Sequence, residues 1–335
     1  MTIDLGALRR NARTLLRALD GAALWAVVKA DGYGHGALDA GAAALEAGAS
    51  ALCVATLPEA LALRDVLRAA RILVLGPVAE GELAQAREAR LELAVSSLPI
   101  PEGIPVHLKL DTGMGRWGLP ALPAPLPAGV VGLMSHLATA DSDPAFAERQ
   151  IERFREATEP YAHLPRHIAN SAAALRLPPA RLDAARCGIA LYGLSPFGTD
   201  AREDGLEPVL SWTSYVAQTR LLRPGESVGY GRRFVAERET WIGVVPLGYA
   251  DGFRRDLTGA AVRVAGEACR VVGTVSMDSL TVELAGDVPR GTAVAVIGPG
   301  APAEQLARVA GTIAYELVSG INSDPARARR VVVDT

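Results

Sequence analysis

The chain has 335 residues, 50% of them hydrophobic and 21% charged, with a formal net charge of -3. That length suits one large or two medium domains with a filled core; the composition excludes a disordered chain, and the charge balance gives no basic surface for nucleic acid or an anionic membrane. No run of 18 or more apolar residues marks a membrane span, and the three cysteines, Cys53, Cys187 and Cys269, are odd in number and far apart, which points to a reducing cytoplasm and to no disulfide or metal-ligand pattern.

The first segment, "MTIDLGALRRNARTLLRALD", has the spacing of an amphipathic helix rather than a leader peptide. Eight apolar runs follow in the first 200 residues: "LWAVVKA" (24–30), "ALCVAT" (51–56), "RILVLG" (71–76), "LELAVS" (91–96), "VHLKLD" (106–111), "VVGLMSH" (130–136), "RHIAN" (166–170) and "RCGIALYG" (186–193). They are continuously apolar rather than alternating, as parallel strands covered on both faces are. Segments such as "PEALALRDVLRAA" and "FAERQIERFREATEPYAHL" supply helices between them. Eight such units predict an α/β fold, a (β/α)8 TIM-type barrel over residues 1–204, with its chemistry at the C-terminal ends of the strands. A doubly wound open sheet is the alternative. From residue 205 to 335 the rhythm changes. "VLSWTSYVAQTRLL", "ETWIGVVPLGY", "AVRVAGEACRVVGTVSMDSLTVEL" and "GTAVAVIG" are strands joined by short turns, with no long helix before "PAEQLARVAGTIAYELVSG". This predicts a C-terminal antiparallel β domain, against which the first few residues of the chain are also expected to pack.

Among 34 Lys+Arg residues only two are lysines, Lys29 and Lys109. Arginine stays protonated and cannot serve as an amine nucleophile or base, so the two lysines stand out. Both fall at predicted strand ends. Lys29 ends the first strand, Lys109 and Asp111 the fifth, His136 the sixth, Asn170 with Ser171 the seventh, and Arg186 begins the eighth. So many polar groups at one end of a barrel describe an active site. A partly desolvated Lys29 would have a lowered pKa and could form a Schiff base with an aldehyde; the natural aldehyde is pyridoxal 5′-phosphate (PLP), an electron sink for carbanion chemistry. Ser171 and the amides of Gly188 and Ile189 offer donors for its phosphate. "GYGHG" and "GYGRRF" fit neither nucleotide-binding glycine spacing.

The ordered motifs "AVVKADGYGHG", "HLKLDTGMGRWG", "GLMSHLATAD", "HIANSA", "RCGIALYGL", "VGYGRRF", "GVVPLGYADGFRR" and "GTVSMDSL" closely resemble the alanine racemase family, PLP enzymes of fold type III. The resemblance implies a homodimer whose active sites are shared between subunits, and interconversion of L- and D-alanine by two bases acting at Cα through a PLP aldimine. It implies that Lys29 carries the cofactor and is one base. Tyr230 is the other, supplied by the partner subunit. Arg116 holds the substrate carboxylate and favours the phenolate, and His136 lies near the cofactor ring. By the same resemblance Arg186 faces the pyridine nitrogen, where a permanent donor would leave that nitrogen unprotonated. Tyr33, Ser171, Gly188, Ile189 and Tyr315 resemble the phosphate-binding set, and Tyr249, Met277 and Asp278 the partner's wall of the substrate entrance. Lys109 resembles a lysine that the family often carbamylates. A plain lysine paired with Asp111 would look the same in sequence. No metal is implied; supply of D-alanine for peptidoglycan is the usual role.

Two departures stand out. The chain opens at "MTIDL", so the family's usual first strand looks clipped. In "GINSDPARARRVVVDT", Ser323 and Asp324 replace a second tyrosine and its neighbour. The rival readings are a serine or lysine racemase or one of broad specificity, a decarboxylase of the same fold, and a non-catalytic PLP carrier; the last would lack the β domain and Tyr230.

Overall fold

The computed structural model describes residues 1–335. The chain forms two compact units, Gly6–Glu207 and a second made of Met1–Leu5 with Pro208–Thr335.

The first unit is a parallel eight-stranded barrel. Its strands are β2 (Ala23–Val27), β3 (Ala51–Val54), β4 (Ile72–Val74), β5 (Glu92–Val95), β6 (Val106–Lys109), β7 (Val130–Met134), β8 (Arg166–His167) and β9 (Ala184–Cys187). The hydrogen-bonded order runs β8-β7-β6-β5-β4-β3-β2-β9. Between β8 and β9 the join is thinner: Asp183 N–H donates to Arg166 O at 3.2 Å and Arg186 N–H to Ala169 O at 3.0 Å. The apolar runs become strands because almost every residue in them is covered; Leu24, Ala26, Leu52, Cys53, Leu73 and Val74 are all 0% exposed. Trp25, at 2% exposed, is among the largest side chains sealed inside. Helix α1 (Leu5–Leu19) buries Leu8, Ala12, Leu15 and Leu19, one stripe at helical spacing. Helices α3 (Ala37–Glu46), α4 (Leu57–Val66), α5 (Leu83–Glu88), α6 (Pro144–Thr158) and α7 (Ser171–Arg176) cover the strands.

The sequence set several strand ends too late. The first barrel strand stops at Val27, and Lys29 opens the turn α2 (Lys29–Tyr33) rather than ending the strand. The eighth starts two residues before Arg186, and its expected second half, Ile189–Tyr192, is a 3-10 turn.

The second unit is a nine-stranded sheet in the order β11-β14-β17-β16-β15-β18-β10-β1-β19. Its members are β1 (Thr2–Asp4), β10 (Leu210–Tyr215), β11 (Gln218–Leu222), β14 (Thr240–Val245), β15 (Ala261–Val264), β16 (Glu267–Val272), β17 (Leu280–Leu284), β18 (Ala293–Ile297) and β19 (Val331–Val333). Every ladder is antiparallel except β1 with β19. β17 alternates buried and half-buried residues along its length, the period of a sheet covered on one face. The opening residues, read from sequence as helix, are a strand: Thr2 pairs with Ser211 on one side and Val331 on the other. A separate hairpin of β12 (Ser227–Val228) and β13 (Phe234–Val235) carries Tyr230 in its loop. Helices α8 (Ala303–Val309) and α9 (Ala314–Ser319) follow β18. No helix is long and apolar enough to cross a membrane.

Candidate active site

At the C-terminal mouth of the barrel the chain leaves β2 through a left-handed turn. Ala30, Asp31, Gly32 and Tyr33 have φ of 52°, 50°, 62° and 55°. Three of the four are not glycine, and a left-handed L-residue costs roughly 1–2 kcal/mol. Side-chain acceptors hold the turn. Glu59 Oε1 accepts from Ala30 N–H at 2.7 Å and Asp31 Oδ1 from Ala37 N–H at 2.8 Å. Glu59 has a second duty as N3 of the capping box that starts α4, where its Oε2 accepts from Thr56 N–H.

The turn leaves the Lys29 side chain half-buried at the mouth. Burial lowers its pKa, Arg116 and Arg186 push in the same direction, and Glu59 opposes them. Lys109, at the tip of β6 and 7% exposed, is driven down to about 8 by burial and then by Arg186 and Arg116. Its expected partner is otherwise engaged: the Asp111 carboxylate accepts from the N–H groups of Gly113, Met114 and Gly115, which outweigh burial and hold its pKa low. Two amines and two guanidiniums thus share one mouth, and the guanidiniums make both amines easier to deprotonate.

Arg186 is 5% exposed on β9. Its NH2 donates to Ser135 O at 2.7 Å and lies 3.2 Å from His136 Nδ1; its NH1 donates to His167 O at 2.9 Å and meets His167 Nδ1 at 2.6 Å. His136 is pushed to about 3 by burial and by Arg186, so it is neutral at ordinary pH. Beside it, Ser171 starts α7 and Gly188 follows β9. Ser171 Oγ accepts from Gly188 N–H at 3.1 Å, which leaves its own O–H to donate elsewhere. A Cβ at Gly188 would lie 2.4 Å from the Tyr33 hydroxyl, so only glycine admits that phenol. Burial raises the Tyr33 pKa well above the usual range and keeps it an O–H donor. Ile189 N–H opens a 3-10 turn, where the first amides have no partner within the turn.

The barrel unit therefore gathers Lys29, Tyr33, Lys109, His136, Ser171, Arg186, Gly188 and Ile189, with exposed Arg116 on the loop after β6. Asn170 caps α7 by accepting from Ala173 N–H at 3.0 Å. Tyr230, Tyr249, Met277, Asp278 and Tyr315 belong to the other unit. Of these, Tyr230, Tyr249 and Met277 are exposed, at 73%, 42% and 52%. Asp278 accepts from Arg327 NH2 at 2.6 Å, and Arg327 Nε donates to Asp251 at 3.0 Å, a clamp the sequence did not suggest. The same unit has a cleft of about 720 Å³ lined by Arg233, Tyr249, Arg254, Arg255, Asp256 and Glu316. Arg254 pairs there with Asp256 and Glu316.

Sequence reading missed Glu59, although the Thr56-x-x-Glu59 spacing was a visible signal. It also missed His107 and His167, whose signal was polarity inside apolar runs: His107 is two residues from Lys109, hence on the same face of β6.

Barrel, two amines at its C-terminal mouth and the donors that line that mouth define the class as a barrel enzyme that works with an amine. Family models agree in both units: the alanine racemase N-terminal domain matches residues 3–196 and the C-terminal domain residues 209–331. An alanine racemase of Streptomyces coelicolor is 43% identical over 99% of this chain and 95% of its own, and one of Lactiplantibacillus plantarum is 39% identical over 100% and 97%. The crystal structure of alanine racemase from Streptomyces lavendulae superposes with a TM-score of 0.92 at 34% identity, covering 100% of this chain and 96% of that one. The chain belongs to the alanine racemase family.

Proposed function

We propose that the protein interconverts L- and D-alanine with PLP as cofactor, in a homodimer whose active sites are completed across the subunits. The observation that carries this reading is the mouth itself: a lysine amine with lowered pKa, beside donors for an anion and a buried arginine, in a chain of this family.

The residues fit the cofactor. The Tyr33 phenol, the Ser171 hydroxyl and the Ile189 amide would hold the phosphate, and the Gly188 amide, which otherwise donates to Ser171 Oγ, would join them. The close approach of Tyr33 to the glycine at 188 supports this, since a side chain there would close the cradle. Lys29 would hold the aldehyde carbon. Arg186 has two of its nitrogens committed to Ser135 and His167, which leaves Nε–H to donate to the ring nitrogen. His136, neutral and bonded to Arg186, would flank the ring. When bound, PLP draws electrons from Cα of the amino acid and makes its proton acidic.

The chain's own groups do the rest. Racemisation takes a proton from one face of Cα and returns one to the other, so two bases on opposite faces are the direct solution. Lys29 serves one face; its lowered pKa makes the neutral, basic amine easier to reach. Tyr230 of a second copy would serve the other, and its exposure in a single chain, with that of Tyr249 and Met277, supports a site finished by a partner. Arg116 would hold the carboxylate. Tyr249, Met277 and Asp278 would narrow the entrance toward a small side chain, although one methylene discriminates by only about 1–3 kcal/mol. Lys109, as a carbamate, would brace Arg116. Three free, buried cysteines support a cytoplasmic setting.

The test is chiral chromatography of L-alanine, L-serine and L-lysine incubated separately with protein and PLP in deuterated water. Deuterated D-alanine forming fastest is the expected result. Faster turnover of serine or lysine would change the substrate, and no exchange at Cα would overturn the racemase reading.

A further inference from the structure

Below the mouth, the barrel interior holds a line of polar groups that no step above uses. Glu92 opens β5 at the opposite, N-terminal end of the barrel. Its Oε2 lies 2.8 Å from His107 Nε2; His107 Nδ1 lies 2.8 Å from His167 Nε2; His167 Nδ1 lies 2.6 Å from Arg186 NH1. Both histidines are 0% exposed. Trp25 braces them, with ring centroids 5.4 Å from His107 and 4.4 Å from His167. At the outer end Arg71 Nε donates to both Glu92 oxygens, at 2.8 and 2.9 Å, and its guanidinium lies over Trp25. Gly132 on β7 makes room: a Cβ there would lie 2.3 Å from His107 Nδ1.

Proton counting allows one arrangement. Arginine only donates and an ionised carboxylate only accepts. Burial lowers the pKa of both histidines, so each carries one proton, while hydrogen bonds from His107 and Arg71 outweigh burial and keep Glu92 ionised. Arg186 NH1–H must then donate to His167 Nδ1, His167 Nε2–H to His107 Nδ1, and His107 Nε2–H to Glu92. Arg71 NH2, 3.4 Å from His107 Nε2, is a donor facing a donor and is held in place by Glu92. Reversing either histidine sets proton against proton at one of its contacts and lone pair against lone pair at the other.

We propose that Glu92, His107 and His167 are positioning residues: a column of ordered protons, anchored at the far end of the barrel, that fixes the Arg186 guanidinium and keeps its Nε–H as a standing donor toward the cofactor ring. The proposal rests on the reading of Arg186 given above. Losing the acceptor at His107 frees His167 to exchange tautomers, and an Nδ1–H there would displace Arg186.

Long-range proton–nitrogen correlation on protein labelled with nitrogen-15 histidine tests the column without substrate. Both rings are expected to be protonated at Nε2. His107→Phe keeps an aromatic ring against Trp25 and removes the acceptor; Glu92→Leu removes the anchor at the rim; Glu92→Gln keeps an accepting oxygen. The first two are expected to mix the His167 tautomers, to shift the visible absorption band of bound PLP, and to lower kcat about tenfold or more with little change in KM. Glu92→Gln is expected to restore all three readouts. A ring protonated at Nδ1 in the wild type, or an unshifted band and unchanged kcat in both disrupting variants, would overturn the column. A wild-type protein with ordered tautomers and no racemisation would instead overturn the proposed function.

Discussion

Lys109→Arg separates a reactive amine from a mere positive charge. Lys109 is 7% exposed, and burial, Arg186 and Arg116 bring its pKa to about 8. At pH 7, roughly one such amine in ten is neutral, against roughly one in 2,500 for a free lysine with a pKa of about 10.4. Only the neutral amine adds carbon dioxide: the ammonium first gives up one proton, the N–C bond then forms as a second proton leaves the nitrogen, and the group has gone from +1 to -1. In this mouth the product replaces repulsion from Arg186 and Arg116 by attraction; two unit charges about 5 Å apart interact by about 3 kcal/mol at an effective dielectric constant of 20. The assay is carbon-13 NMR in labelled bicarbonate. A carbamate resonance is expected in the wild type, forming faster as pH rises toward 8, and absent in Lys109→Arg. That variant fixes a positive charge where the carbamate would be negative, so its kcat/KM for alanine should fall. No resonance in the wild type near pH 8, or one that persists unchanged in Lys109→Arg, would refute the reasoning.

Lys29→Arg keeps a cation but no nucleophile; it should fold normally by circular dichroism, lose the visible band of bound PLP and show no racemisation, and measurable turnover would remove Lys29 from the mechanism. Tyr230→Phe should retain PLP and the visible band while kcat falls by about 10²–10⁴; unchanged rates in both directions would end the two-base reading. Gly188→Ala places a Cβ 2.4 Å from the Tyr33 hydroxyl. Overpacking of this kind costs about 1–3 kcal/mol, so urea denaturation should show the loss and PLP should leave faster on dialysis; wild-type retention of PLP would mean that Tyr33 is no part of the cradle.

The barrel was legible because its strands are covered on both faces and must be written as unbroken apolar runs; "ALCVAT" and "RILVLG" needed nothing more. The polar residues that interrupt such runs at their ends mapped to the mouth for the same reason. What escaped was geometry without a period. The left-handed turn after Lys29 includes only one glycine among its four positive-φ residues, and its other holders, Glu59 and Asp31, act across the loop. β1 is three residues long and exists only through pairing with segments more than 200 positions away. Arg327 clamps Asp251 and Asp278 from a stretch where sequence comparison saw only divergence. His107 and His167 sat in plain view, but a histidine inside an apolar strand is legible only when the partner strands are known.

The thin join between β8 and β9 makes the barrel a ring with a clasp. Elsewhere neighbouring strands share a ladder. Here only two backbone–backbone bonds span the gap, helped by side-chain bonds: Arg166 N–H to Asp183 Oδ2, Arg186 NH1 to His167 O and, at the mouth, Gly188 N–H to Ser171 Oγ. Amide hydrogens at Asp183 and Arg186 are therefore where the ring should first exchange with solvent, ahead of those in β3 or β4. An anion held by both Ser171 and Gly188, as proposed, would tie the loose ends together and fasten the clasp. Exchange at Arg186 would then read occupancy of the mouth from inside the wall, with ligand affinity and barrel integrity as one linked equilibrium.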